Sequence, residues 1–263
     1  MRRSVPYFWI ILLCLTALAA CKRSAPLRHQ FETFSRGFNQ CSPADENCTY
    51  LKFSYPVFTQ GPNPAGLKAI QRRVMDFLLA PTGEKKASDL EGFAKDFFAD
   101  FQAYRQQFPN APQVWSLERS VDVLVEDPRI LSLSFRETQF LGGAHPNSTR
   151  TLVSLNPENG APYTLDELLL PGYLDKLNAL GEKKFREVRK IPEGQGLEEA
   201  GFDFPGGKFK LNDNFAAGAD GLIFYFNPYE VAAYVYGPTE VEIGYGSLKE
   251  LVNRKGPLRD LAK

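Results

Sequence analysis

The sequence predicts an α+β fold, an antiparallel β-sheet packed by helices, in two lobes sharing one body. Three observations carry this. Runs of alternating apolar and polar residues recur along the chain. Two of them, VWSLERSVDVLVED and RILSLSFRETQFLGG, meet at Asp127-Pro128 as an antiparallel pair does. Helical patterns fall in pairs between strand runs, without the regular βαβ alternation of a parallel sheet.

In chain order, Thr49–Phe58 (TYLKFSYPVF) alternates as a strand, and TQGPNPAG breaks it. The next segment places Leu67, Ile70, Val74, Phe77 and Leu78 on one helical face. A second helix opens at SDLE, where Ser88 and Glu91 have capping-box spacing, and carries Phe93, Phe97, Phe98, Phe101 and Tyr104. That aromatic stripe reads as core, because the same helix has a full polar face. After the strand pair, RTLVSLNPENG is a third strand ending in a turn cluster. The second half offers a short turn capped by Thr164 with Glu167 and then a longer helix. A buried strand at Leu222–Phe226, a turn or helix led by Pro228, a strand at Glu240–Tyr245 and a final short helix complete it. The expected division is a signal at 1–20, a tether at 21–47, and α+β regions at 48–150 and 151–263.

The opening MRRSVPYFWIILLCLTALAAC has two arginines, an apolar core shorter than a membrane span, and a small-residue exit. Its ending LAAC resembles a bacterial lipobox, which implies that Cys21 is acylated and becomes the mature N-terminus. Several acyl chains on one residue would supply stable anchoring. Lys22 stands where lipoproteins retained at the inner membrane usually carry Asp, which points to the outer membrane in a host with two membranes. Loss of residues 1–20 removes Arg2 and Arg3 and leaves 29 basic against 31 acidic side chains. So balanced a surface argues against nucleic-acid partners. Cys41 and Cys48 lie in CSPADENC, a short polar loop, and an exported pair so spaced is expected to form a disulfide. No cofactor and no metal ligand set is expected, and no serine elbow, phosphate loop or dinucleotide fingerprint occurs.

The stretches FLGGAHPNS, VSLNPENGAPYTLDELL and DGLIFYFNPYEVAAYVYGPTEVEIGYGSL resemble the extracytoplasmic domain of the RsiV-like family. The strand–two-helix–strand region before them resembles the domain that accompanies it in PdaC-type peptidoglycan deacetylases. Together these resemblances span roughly residues 46–252. They imply an outward-facing module that binds lysozyme in one setting and accompanies a separate catalytic domain in another. Deacetylase chemistry needs a metal-binding Asp with two His, whereas this body offers His145, with His29 assigned to the tether. The expectation is therefore the module on a lipid anchor, an uncatalytic envelope protein that meets a lysozyme-like protein or a peptidoglycan fragment.

Two candidate sites follow. In GGAHPN, Gly142 and Gly143 allow unusual backbone angles and Pro146 restrains the turn. His145 either locks that turn, through one ring hydrogen to a carbonyl and the other nitrogen to a neighbour, or faces a partner together with Asn147. In NPYE, Asn227 can cap the turn that Pro228 enters, and Tyr229 and Glu230 complete it. Glu230 beside Asp166 or Glu167 would form the carboxylate pair of a glycan-cutting enzyme, the rival reading. An assembly lipoprotein without a small ligand is the third. Tyr234, Tyr236 and Tyr245 are possible aromatic contacts.

Overall fold

A computed structural model describes residues 25–111 and 113–262. The signal segment and Cys21 lie outside the described residues. Strands β1 (Arg28–Gly37), β2 (Tyr50–Gln60), β3 (Ser116–Asp127), β4 (Ile130–Phe140) and β5 (Asn147–Leu155) form one sheet in that spatial order. The pair α1 (Pro64–Leu78) and α2 (Leu90–Gln107) bridges β2 and β3. After β5 come a single turn α3 (Leu165–Leu168) and the longer α4 (Leu174–Arg189). A second sheet of β6 (Phe215–Ala217), β7 (Gly221–Phe226) and β8 (Thr239–Gly244) follows. The α+β class holds, with one parallel pairing, β2 on β3, that the helical crossover makes possible.

Each sheet has its own core. In the first, Ile70, Val74 and Leu78 of α1 and Phe97 of α2 bury against Phe53, Leu117 and Leu133. In the second, Phe185 of α4 is fully buried among Phe202, Phe204, Phe209 and Phe226, with ring centroids 5.0 to 5.7 Å away. The apolar stripe of α1 is the one its sequence spacing predicts, and Asn63 caps that helix by accepting from the Ala65 N–H at 2.9 Å. Inside the first core, Arg119 is 2% exposed, its guanidinium donating to Glu137 at 2.7 Å and to the Leu78 carbonyl at 2.8 Å. Burial pulls its pKa down while Glu137 opposes the shift.

Several expectations are corrected. Residues 28–37 are no tether: they pair along the whole of β2, and His29 sits in that strand, its Nδ1 2.5 Å from Glu126. An edge strand solvated on most of both faces shows no apolar alternation, which is why β1 reads as polar linker. The boundary between residues 150 and 151 falls inside β5, so the first sheet reaches past it. The cap of α2 is Asp89, accepting from the Gly92 N–H at 2.8 Å, and not Ser88; Glu91 is drawn to Arg36 of β1 instead. Hydrogen bonds from Gly92 and Ser88 hold the Asp89 carboxyl below its usual range. The expected final helix is not at residues 247–252: residues 245–251 are turns, Val252 bridges to Leu169, and the last helical turn is the 3-10 segment Pro257–Asp260. Cys41 and Cys48 are bonded in the β1–β2 connection.

The outer edge of β5 meets side chains where another strand would normally lie. The Asn227 amide accepts from the Arg150 N–H at 2.7 Å and donates to its carbonyl at 3.1 Å. Asn214 accepts from the Leu152 N–H at 2.7 Å and donates to the Arg150 carbonyl at 2.8 Å. Ser154 accepts from the Ala217 N–H at 2.8 Å. Backbone groups of β5 that a strand would satisfy are thus met by two amide side chains of the second lobe, and the Ser154 hydroxyl of β5 in turn holds a backbone N–H of β6.

Candidate functional site

The turn after β4 and the turn after β7 come together although 84 residues separate their key members. His145 donates from Nδ1 to the Pro146 carbonyl at 2.9 Å, which fixes Nε2 as the acceptor in the neutral ring; Nε2 faces the Tyr229 hydroxyl at 3.3 Å. The imidazole stacks on Tyr234, centroids 3.9 Å apart and planes 16° apart, and the Tyr234 hydroxyl donates to the same Pro146 carbonyl at 3.1 Å. Tyr229 and Tyr234 are themselves 5.4 Å apart. The result is a contiguous ring surface of His145, Tyr229 and Tyr234 on two chain segments.

How is that surface held in place? Tyr229 has φ +67°, a left-handed conformation that non-glycine residues adopt at a cost. Its neighbours impose it. Asn227 is tied to β5 through Arg150, and Glu230 closes the turn by accepting from the Asn227 N–H at 2.7 Å and the Asn212 amide at 2.6 Å. Asn227 therefore anchors the turn through its side chain on β5, while the cap itself is Glu230. The other wing is gripped by Arg189 at the end of α4. Its guanidinium donates to the carbonyls of Tyr236 (2.7 Å), Gly237 (3.0 Å) and Pro238 (2.8 Å) and from Nε to the Thr239 hydroxyl (2.8 Å), packing over Phe202 at 5.2 Å. Arg189 is a positioning residue. Arg189→Lys keeps the charge but loses the fork, so the Tyr234–Tyr236 segment should exchange its amide hydrogens faster while the core stays protected, measured by hydrogen exchange.

The predicted residues fare unequally. His145 and Tyr229 meet, and Tyr234 joins them. Asn147 begins β5 opposite Gln139, exposed beside the patch. Glu230 adjoins it but is not paired with Asp166 or Glu167: Glu167 accepts from the Thr164 N–H at 2.8 Å, and Asp166 faces Tyr173. Tyr245 is buried and donates to the Gly218 carbonyl at 3.0 Å, so it belongs to the core. Arg189, Asn212 and Asn214 gave no local signal, since their partners lie 11 to 64 residues away. Among the described residues no group of three or more His, Cys, Asp or Glu is placed to hold a metal ion.

What the arrangement presents to solvent is contact surface. Tyr229, Val235 and Tyr236 are 61%, 87% and 44% exposed, large apolar side chains open to solvent. The Glu230 carboxyl lies beside them, held by two neutral N–H donors.

Residues 43–148 match the family "Deacetylase PdaC", and residues 166–246 match a protein family of unknown function, DUF3298. The chain thus carries a PdaC-type domain followed by a DUF3298-type domain. It is 23% identical over 176 residues to the peptidoglycan-N-acetylmuramic acid deacetylase PdaC of Bacillus subtilis (strain 168), a match covering 65% of this chain and 37% of the relative. The chain thus spans little more than a third of the curated relative's length. The fold matches a solved DUF3298-family protein from Bacteroides fragilis NCTC 9343, with TM-score 0.68, 17% identity, and 91% and 98% of the two chains covered. A second, from Pseudomonas aeruginosa PAO1, gives TM-score 0.61, 18% identity, and coverage of 87% and 95%.

Proposed function

We propose that this chain is a cell-envelope recognition protein that binds a lysozyme-type muramidase through the His145–Tyr229–Tyr234 surface. The signal-like opening with Cys21 at its end supplies the lipid anchor in this reading, and the PdaC-type relative supports an extracytoplasmic setting. Among the described residues no helix is long and apolar enough to cross a membrane.

The observation that carries the proposal is the held, exposed aromatic surface with the Glu230 carboxyl at its border. Tyrosines on rigid turns provide large contact area at small entropic cost, and aromatic anchors dominate protein interfaces. The Glu230 carboxylate at the border would favour the approach of a basic enzyme.

A peptidoglycan fragment is the second reading, favoured by the wall-acting relative; sugar faces stack on such rings as well. Retention on immobilised lysozyme at low salt tests the first reading, with purified wall sacculi as the parallel column. Tyr229→Ala should weaken lysozyme binding by about 2 kcal/mol, roughly thirtyfold. Absence of retention by the wild-type chain would remove the muramidase as partner. Retention on sacculi alone, lost in Tyr229→Ala, would favour the second reading.

A further inference from the structure

A different part of the surface is built to hold a ligand. Helix α1 crosses the first sheet without covering its last strand, and between them lies a cleft of about 590 Å³. Its floor is apolar, from Phe77, Phe135 and Val153, and its rim carries Arg72, Arg73 and Asp76 on successive turns of α1. The end wall is rigid. Gly160, at φ +71°, brings the turn after β5 so near α1 that an added methyl would lie 2.6 Å from the Ala69 Cβ.

The arginines are the informative part. Arg36, Arg119, Arg150 and Arg189 are committed to carboxylates or carbonyls, whereas Arg28, Arg105 and Arg254 are surface arginines without such a partner among the described residues. Arg72 and Arg73 have no ion pair or hydrogen bond among the described residues, and both are exposed. A solvated helix face would also leave arginines free, but it would not set two of them over an apolar floor in a cleft of ligand size. Guanidinium forks select carboxylates. Asp76 on the same rim disfavours a ligand that is only anionic and offers a partner to an amine.

We infer that the α1–β5 cleft binds a short net-anionic peptide, its carboxylates on Arg72 and Arg73, its amine at Asp76 and its apolar side chain on the floor. In an envelope setting the ligand of this class is the stem peptide of the cell wall; that choice rests on the proposed function, whereas the site does not use the tyrosine surface.

The test is calorimetric titration of the full chain with the tripeptide L-alanyl-γ-D-glutamyl-meso-diaminopimelate. Binding is expected, and Arg72→Gln with Arg73→Gln should weaken it at least about tenfold. The same peptide with its carboxylates amidated should lose as much against the wild-type chain, which answers any concern about the variant's folding. Tyr229→Ala should leave the titration unchanged. Equal binding of the amidated peptide, or absence of binding to the wild type, overturns the inference. So does binding only to phosphatidylglycerol vesicles, which would make the cleft a lipid-headgroup site. Lysozyme retention measured on the same preparation separates the two readings. Retention on lysozyme without peptide binding sinks the cleft alone, and peptide binding without retention on lysozyme sinks the muramidase reading of the tyrosine surface alone.

Discussion

Glu137→Gln should destabilise the protein by about 3 kcal/mol, a fall in melting temperature of roughly 10 °C. The reason is where its partner sits. Arg119 is 2% exposed within the first core, ringed by Phe93 at 5.1 Å, Phe77 at 5.8 Å and Phe53 at 5.9 Å. Glu137 neutralises that guanidinium, and the Leu78 carbonyl takes a second hydrogen bond at 2.8 Å. Removing the carboxylate's charge strands a cation in a medium that solvates it poorly. Removing the cation instead leaves Glu137, 19% exposed, able to find water. Arg119→Met should therefore cost less than Glu137→Gln, and the double variant should resemble Arg119→Met. Thermal or denaturant unfolding of the four proteins measures the coupling, and additive losses would show that the pair does not act as a unit.

The second large effect concerns backbone approach. An alanine methyl at Gly66 would lie 2.2 Å from the Pro157 carbonyl oxygen and 2.6 Å from the Glu158 carbonyl carbon. Neither neighbour is a side chain that can swing aside. Gly66→Ala gains about 1 kcal/mol of helix propensity, yet the clash forces α1 away from the turn after β5. A net loss of about 2 kcal/mol is expected in denaturant unfolding. A stabilised protein would mean that the helix and turn sit further apart than described.

Much of this architecture could be read from the chain, and the misses share a cause. The stripe Ile70–Val74–Leu78 and the strand Gly221–Phe226 are legible because one face, or both, are buried, so periodicity reports burial directly. Strand β1 is not, since Phe31 is 53% exposed and its neighbours are mostly solvated. Its place is set by pairing with β2, a property of the partner and not of local pattern. The candidate surface divides the same way. His145 and Tyr229 stand out as unusual residues in turns, but nothing within either turn announces that they meet. Arg72 and Arg73 look like an ordinary polar helix face until the uncovered β5 is seen beside them.

The sealing of β5 by Asn214 and Asn227 bears on any attempt to dissect the protein. A fragment cut at the matched borders, residues 43–148, would discard β1 and most of β5 together with the asparagines. Two long, freshly bared strands, β2 and β4, would then offer their backbone to neighbouring molecules, and such a piece should precipitate on expression where the intact chain stays dispersed.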